Sequence, residues 1–288
     1  MMKLTIDSYH PQQRFGEKEG LKMIKDAGFD GVDYSFYLPA NHPFFGEKSA
    51  EHAREMREYL DSIGLSVAQA HAPFELAYEE PFDLSCKNYA DIVRSMEAAA
   101  LLGAPCIVVH AVTVRDRSAD FIEDYNYEFY RTLEPYAEQY GICIAIENLF
   151  NTDRKRNSYS NRRCGTPELV NRMLARLDSE WFTVCVDLGH AAMTGFEPEE
   201  FLRGIIPGAV TALHVQDTDY RNDCHQLPFV CDLNWPEIMT ALRETGYSGA
   251  FNYELYRYLG NFPSELYPSA LKMAHDVGRY LIALSDEA

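Results

Sequence analysis

Acidic and imidazole side chains recur at one position in this chain, the end of a short apolar run: His71, His110, Glu147, Asp187, His214 and Glu254. These residue types ligate divalent cations and move protons near neutral pH. Taken singly, each has a plainer explanation. A lone His71 or His110 is more often a hydrogen-bonded core histidine than a ligand, and a lone Glu147 could cap a helix or pair with an arginine. Taken jointly, Glu147, Asp187, His214 and Glu254 form a mixed oxygen and nitrogen set suited to Mn2+, Mg2+, Co2+ or Zn2+ rather than to a thiolate-loving ion. Buried carboxylates without partners would repel one another and be costly to desolvate, so a doubly charged cation is their natural companion.

Positioning these residues requires elements that bring distant run ends together. The apolar runs are Leu4–Tyr9, Gly31–Phe36, Ser66–Ala70, Cys106–His110, Ile142–Glu147, Phe182–Asp187, Val210–Val215 and Ala250–Leu255. Helical patterns lie between them: Lys18–Ala27, Ser49–Ile63, Cys86–Leu102, Asp120–Tyr140, Pro167–Leu177, Pro198–Leu202, Trp235–Glu244 and Ser264–Ala283. Gly28, Gly64, Gly103, Gly141 and Gly246 mark helix ends, and Thr166-Pro167 opens a helix with a hydroxyl cap and a first-turn proline. Runs such as Cys106-Ile107-Val108-Val109 are apolar throughout, as a parallel sheet covered on both faces requires. Eight β–α units without a long linker point to an α/β protein, a single (β/α)8 TIM barrel over residues 1–288, rather than an open sheet. In that fold all strand ends converge on one mouth, where active sites sit.

Composition narrows the partners. A hydrophobic content of 47% in 288 residues supplies a large core. The net charge of −18 disfavours a broad nucleic-acid surface, so a small soluble substrate is expected and no nucleic acid. No apolar stretch reaches the ~20 residues of a membrane span, and no signal-peptide pattern opens the chain. The seven scattered cysteines contain no C-x-x-C, which argues against a disulfide framework and for the reducing cytoplasm.

The segments Ile144-Ala145-Ile146-Glu147-Asn148, Val186-Asp187-Leu188-Gly189-His190, Leu213-His214-Val215-Gln216-Asp217 and Asn252-Tyr253-Glu254 resemble the xylose-isomerase-like barrel superfamily. With Ala70-His71-Ala72-Pro73, the resemblance spans nearly the whole chain. That group includes sugar and sugar phosphate isomerases and epimerases, inosose-processing enzymes and AP endonucleases. The resemblance implies that Glu147, Asp187, His214 and Glu254 hold one metal, Mn2+ first, with Mg2+, Co2+ or Zn2+ as alternatives. It also implies that Glu147 and Glu254 act as acid and base on opposite faces of a sugar. Proton transfer would then pass through a metal-stabilised enediolate, with His190 polarising a substrate oxygen. Dehydration or lysis of a keto-sugar or keto-inositol on the same site is the alternative outcome.

In the endonuclease-like branch, nine residues bind three zinc ions, and this chain has a candidate for each. His71, His110 and Glu147 match the first ion. Glu147, Asp187, His214 and Glu254 match the second, and His190, Asp223 and His225 the third. The acidic Gln216-Asp217-Thr218-Asp219-Tyr220 segment and the net charge speak against DNA cleavage.

Two inserts stand out. Asn151–Gly165 carries Arg154, Lys155, Arg156, Arg162 and Arg163 and reads as a loop on the catalytic face. Arg162 and Arg163 are candidates for a bidentate anion clamp. Tyr37–Gly46, with Phe44 and Phe45, reads as an apolar lid or a subunit contact; a homo-oligomer is expected for this architecture. Phe15, Phe36 and Phe74 are candidates to pack on a sugar's apolar face, and Asp124–Tyr130 reads as part of an outer helix.

Overall fold

The computed structural model describes residues 2–74, 84–114, 117–153 and 158–287. Among these residues ten strands appear in chain order: β1 (Leu4–Asp7), β2 (Gly31–Ser35), β3 (Ser66–His71), β4 (Cys106–Val109), β5 (Cys143–Glu147), β6 (Leu149–Asp153), β7 (Ser158–Arg163), β8 (Phe182–Asp187), β9 (Val210–His214) and β10 (Phe251–Tyr253). Eight of them pair in the order β10-β1-β2-β3-β4-β5-β8-β9, and every pairing in that sheet is parallel. The last seam also joins. Val215 N donates to Asn252 O at 2.8 Å and Glu254 N donates to Val215 O at 3.1 Å, beside a parallel bridge from Val215 to Tyr253. The sheet therefore closes into a TIM barrel with helices around it.

The strands read as apolar runs because both faces are covered. Leu4, Ile6, Val32, Ile107, Ile144, Val184 and Leu213 face the surrounding helices, while Cys106, Val108, Ala145, Cys185 and Ala212 make a separate cluster of smaller side chains. A polar group lies among the strands as well. Gln69 and Asn252 donate to Asp33 Oδ2 at 2.7 and 3.2 Å, and Thr5 donates to Asn252 Oδ1 at 2.8 Å. All four are buried. Buried polar groups are tolerated when bonded in this way.

Helix ends follow the punctuation in the sequence. The helices Ser49–Ile63, Pro167–Leu177 and Trp235–Glu244 have the expected bounds. Thr166 Oγ1 accepts from Leu169 N at 3.2 Å, with Pro167 in the first turn. Gly103 ends its helix in the left-handed region at φ +86°, where an added Cβ would also collide with Arg57 Nη1. No larger residue fits there without moving that arginine.

Several local expectations change, three of them next to the strand ends at the mouth. The first run stops at Asp7 rather than Tyr9, and Tyr9–Phe15 is a helix. The turn has a cause: Asp7 Oδ1 accepts from Tyr9 N at 2.9 Å, and Pro11 suits a first helical turn. The fourth run stops at Val109, leaving His110 beyond the strand. The insert after β5 is an antiparallel hairpin of β6 and β7, pairing Asn151 with Ser160 and Thr152 with Tyr159. Its Arg154, Lys155 and Arg156 lie outside the described residues, as does the side chain of Arg162. Asp124–Tyr130 belongs to the outer helix Ala119–Tyr140, with Phe129 and Tyr130 turned into the core. Among the described residues no helix is long and apolar enough to cross a membrane, and all seven cysteines are free.

Candidate active site

Strand register explains why residues far apart in sequence meet. β5 ends on Glu147, β8 on Asp187 and β9 on His214, with Asp187 paired to His214 across the ladder. Glu254 follows β10 directly, and His71 ends β3. Glu147 is the hub. Its Oε2 lies 2.7 Å from His110 Nε2 and 3.6 Å from His71 Nε2; its Oε1 lies 3.2 Å from both His214 Nδ1 and His190 Nδ1. His214 Nδ1 is also 3.9 Å from Asp187 Oδ2 and 3.9 Å from Glu254 Oε2. One imidazole nitrogen thus faces three carboxylates.

On the other edge of that ring, His214 Nε2 lies 3.4 Å from Asp33 Oδ2. A carboxylate behind a histidine fixes its tautomer and leaves the opposite nitrogen free to ligate. Asp33 was not singled out from the sequence, because a carboxylate within an apolar strand carries no signal of what it faces.

His190, Asp223 and His225 form a second group. His190 Nε2 is 3.7 Å and His225 Nε2 is 3.0 Å from Asp223 Oδ1. His225 Nδ1 reaches back to Glu254 Oε2 at 3.3 Å. Gln216, buried, ties the groups together. Its Nε2 donates to Asp187 Oδ2 at 3.1 Å and to Asp223 Oδ1 at 3.3 Å, and its Oε1 accepts from His225 N at 2.8 Å. Gly189 makes room for it, since a Cβ there would sit 2.6 Å from the Gln216 amide carbon.

The next residue, Asp217, secures the loop that carries Asp223 and His225. Its carboxylate accepts from the backbone of Thr218, Cys231 and Leu233 at 2.9, 3.0 and 3.2 Å and from Trp235 Nε1 at 3.3 Å. Asp217→Asn turns an NH2 group toward these donors, and an unsatisfied buried donor costs about 1–3 kcal/mol. Urea unfolding is expected to show about 2–4 kcal/mol lost, by two or more such groups; an unchanged midpoint would refute this role.

The cluster perturbs its own titration. Burial drives His110 down to about 4. Burial also opposes charge on Glu147, but His110 and His214 outweigh it and hold that carboxyl well below its usual range. For His190 burial is again overcome, here by Asp187, Glu147 and Asp223, which lift it to about 10. Asp187 is raised to about 6 by burial, with Glu254 and Glu147 adding to the rise.

Four ligand groups have donor atoms within 4.8 Å of one another here: His71–His110–Glu147, Glu147–Asp187–His214, His71–His214–Glu254 and His190–Asp223–His225. His71 Nε2 is buried without a hydrogen bond, 3.6 Å from Glu147 Oε2. A buried imidazole nitrogen left unpartnered among converging carboxylates suits a cation, so the residues fit a divalent metal.

Above the cluster opens a cavity of about 380 Å3, walled by Tyr9, Tyr37, Phe74 and Tyr256 and floored by His71, His110, Glu147, His190, His225 and Glu254. Of the aromatic residues expected at the mouth, only Phe74 lines it. Phe36 is buried among Tyr34 and Phe44, and Phe15 packs on Tyr267. Phe44 is wholly buried, so Tyr37–Gly46 supplies the core as well as the wall. Arg163 donates to Ala111 O and lines a separate cavity with Asn126 and Cys164.

The sequence pattern of the family described as xylose isomerase-like TIM barrel matches residues 21–276. The chain belongs to that family. Among solved structures it is similar to a D-tagatose 3-epimerase-like protein, at 20% identity over 99% of both chains and TM-score 0.77. It is similar to the 3-keto-D-glucoside 4-epimerase of E. coli, at 20% identity over 96% of this chain and 100% of that one, TM-score 0.72. A third is the IolI protein with a bound zinc atom, at 17% identity over 98% of both chains, TM-score 0.72.

Proposed function

We propose that this family member is a divalent-metal-dependent sugar isomerase or epimerase. The observation that carries the reading is the pair Glu147 and Glu254, whose carboxylates flank one nitrogen of His214 beneath an aromatic-walled cavity. Its structural similarity to sugar epimerases supports it. Glu147, Asp187, His214 and Glu254 would hold the ion. Such an ion supplies Lewis-acid stabilisation of negative charge on substrate oxygens. Mn2+ is the first choice, and the zinc in the IolI neighbour keeps Zn2+ in view.

The chain's own groups do the rest. Glu254 at one side of the substrate and Glu147 at the other take a proton from the carbon beside a carbonyl and return it. His190, charged beside Asp187, donates a hydrogen bond to a substrate oxygen. Tyr9, Tyr37, Phe74 and Tyr256 offer faces to the apolar side of a sugar and exclude water. The same reading carries a single domain, a homo-oligomer and a cytoplasmic setting.

A second reading has one observation of its own. His71–His110–Glu147, Glu147–Asp187–His214 and His190–Asp223–His225 each assemble, as a hydrolase with three metal ions would require. Proton NMR in D2O with Mn2+-loaded protein and a panel of ketoses, aldoses, inososes and their phosphates separates the two. Metal-dependent deuterium incorporation beside a carbonyl supports enolisation. No exchange from a fully metallated protein, together with cleavage of an abasic DNA duplex, supports the hydrolase.

A further inference from the structure

A second set of metal-ligand residues lies outside the mouth cluster. Glu17 begins the helix Glu17–Ala27, His42 precedes the short turn Pro43–Phe45, and His52 lies near the start of the helix Ser49–Ile63. Their donor atoms lie within 4.8 Å of one another. Glu17 Oε2 is 2.9 Å from His52 Nε2, and Glu17 Oε1 is 4.0 Å from His42 Nε2. Around a tetrahedral zinc with bonds of about 2.0–2.2 Å, ligand atoms stand roughly 3.3–3.5 Å apart. The two separations bracket that value, so small side-chain rotations suffice.

We infer that Glu17, His42 and His52 form a structural site for a borderline divalent cation of the zinc type. Two imidazoles and one carboxylate suit that class better than Mg2+ or Ca2+, which favour oxygen. The side chains are 16–17% exposed, enough for water to complete the coordination. The rings are already held. His42 stacks on Phe44 with centroids 5.3 Å apart, His52 meets Phe44 at 4.7 Å, and Tyr34 OH donates to Glu17. Ligation through His42 Nε2 places the ring proton on Nδ1 and gives up only the 3.4 Å contact from Phe44 N.

The site has a structural consequence. His42 belongs to the segment that begins with Tyr37, which walls the cavity and packs on Phe74 at 4.5 Å and Tyr9 at 5.1 Å. A cation bound to Glu17, His42 and His52 would fasten that segment to two helices, independently of the reaction at the mouth. A hydrogen-bonded Glu17–His52–Tyr34 network without metal explains the same contacts but leaves His42 Nε2 with no role.

Zn2+ alone is the probe. Wild-type, His42→Asn and His52→Gln proteins are equilibrated with Zn2+ against a chromophoric competitor, and bound metal per chain is measured. Asparagine preserves the cap on Phe44 N, and glutamine preserves a donor to Glu17, so both variants should fold. The expected result is one zinc equivalent fewer in each variant. Zinc should also slow limited proteolysis within residues 37–46 of the wild type and not of His42→Asn. Equal zinc loads in all three proteins, or equal protection in wild type and His42→Asn, would overturn the inference.

Discussion

Glu254→Gln is expected to leave the barrel folded and to slow turnover by a factor of about 10²–10⁴, the usual contribution of a positioned general acid or base. Glutamine matches glutamate in size, and Glu254 carries no load in the strand ladder beyond its backbone bond to Val215. The amide oxygen still points a lone pair toward the cluster but accepts no proton. The decisive reading is a pair of numbers from one preparation: metal content and rate of solvent deuterium incorporation. Wild-type exchange in the variant would remove Glu254 from the proton path. Loss of both metal and exchange would assign it to ligation instead.

Removing the metal is expected to have the other large effect. A chelator should abolish turnover and lower the melting temperature, with both restored by Mn2+, Co2+ or Zn2+. At free metal 1,000 times its dissociation constant, binding adds about 4 kcal/mol to the folded state. In a chain of this size that is a shift of about 8 °C or more, at roughly 2–4 °C per kcal/mol. The pH dependence has a definite sign. The carboxylates hold His190 protonated up to about 10, and burial holds Asp187 protonated up to about 6. Asp187 is the ligand of the two, and a proton lost from it on binding means that metal affinity rises with pH until that carboxyl is ionised, by about tenfold per unit. Calorimetry in buffers of different ionisation enthalpy registers that proton. Affinity that falls as pH rises from 5 to 8 would contradict the arrangement, as would full turnover in metal-stripped protein.

The barrel was legible because its signals are local and repeated. A continuous apolar run needs cover on both faces, a glycine after an amphipathic stretch ends a helix, and Thr166-Pro167 begins one. Each is a property of a few neighbouring residues. The candidate cluster was legible for a related reason: in a parallel barrel every strand ends on the same face, so a polar residue that stops an apolar run is placed by topology alone. Glu147, Asp187, His214 and Glu254 needed no distance information to be grouped.

Residues whose role depends on what they face were not legible. Asp33 lies in mid-strand and gains meaning only because His214 Nε2 comes within 3.4 Å of it. Gln216 looked like one more polar residue in an acidic segment, yet its single amide connects Asp187, Asp223 and His225. Phe36 and Phe44 were as plausible at the mouth as Phe74 until packing turned them inward. The insert after β5 had the composition of a loop, and cross-strand pairing made it a hairpin.

By itself, then, the order of residue types determined an eight-unit parallel barrel and the run ends that meet at its mouth, because backbone periodicity and capping act over a few residues. The tertiary structure decided which nitrogen of His214 faces the carboxylates, which aromatic rings wall the cavity, and that Glu17, His42 and His52 meet at all. Those are relations between side chains on different elements, and their geometry is fixed only when helices and strands pack at particular angles and registers.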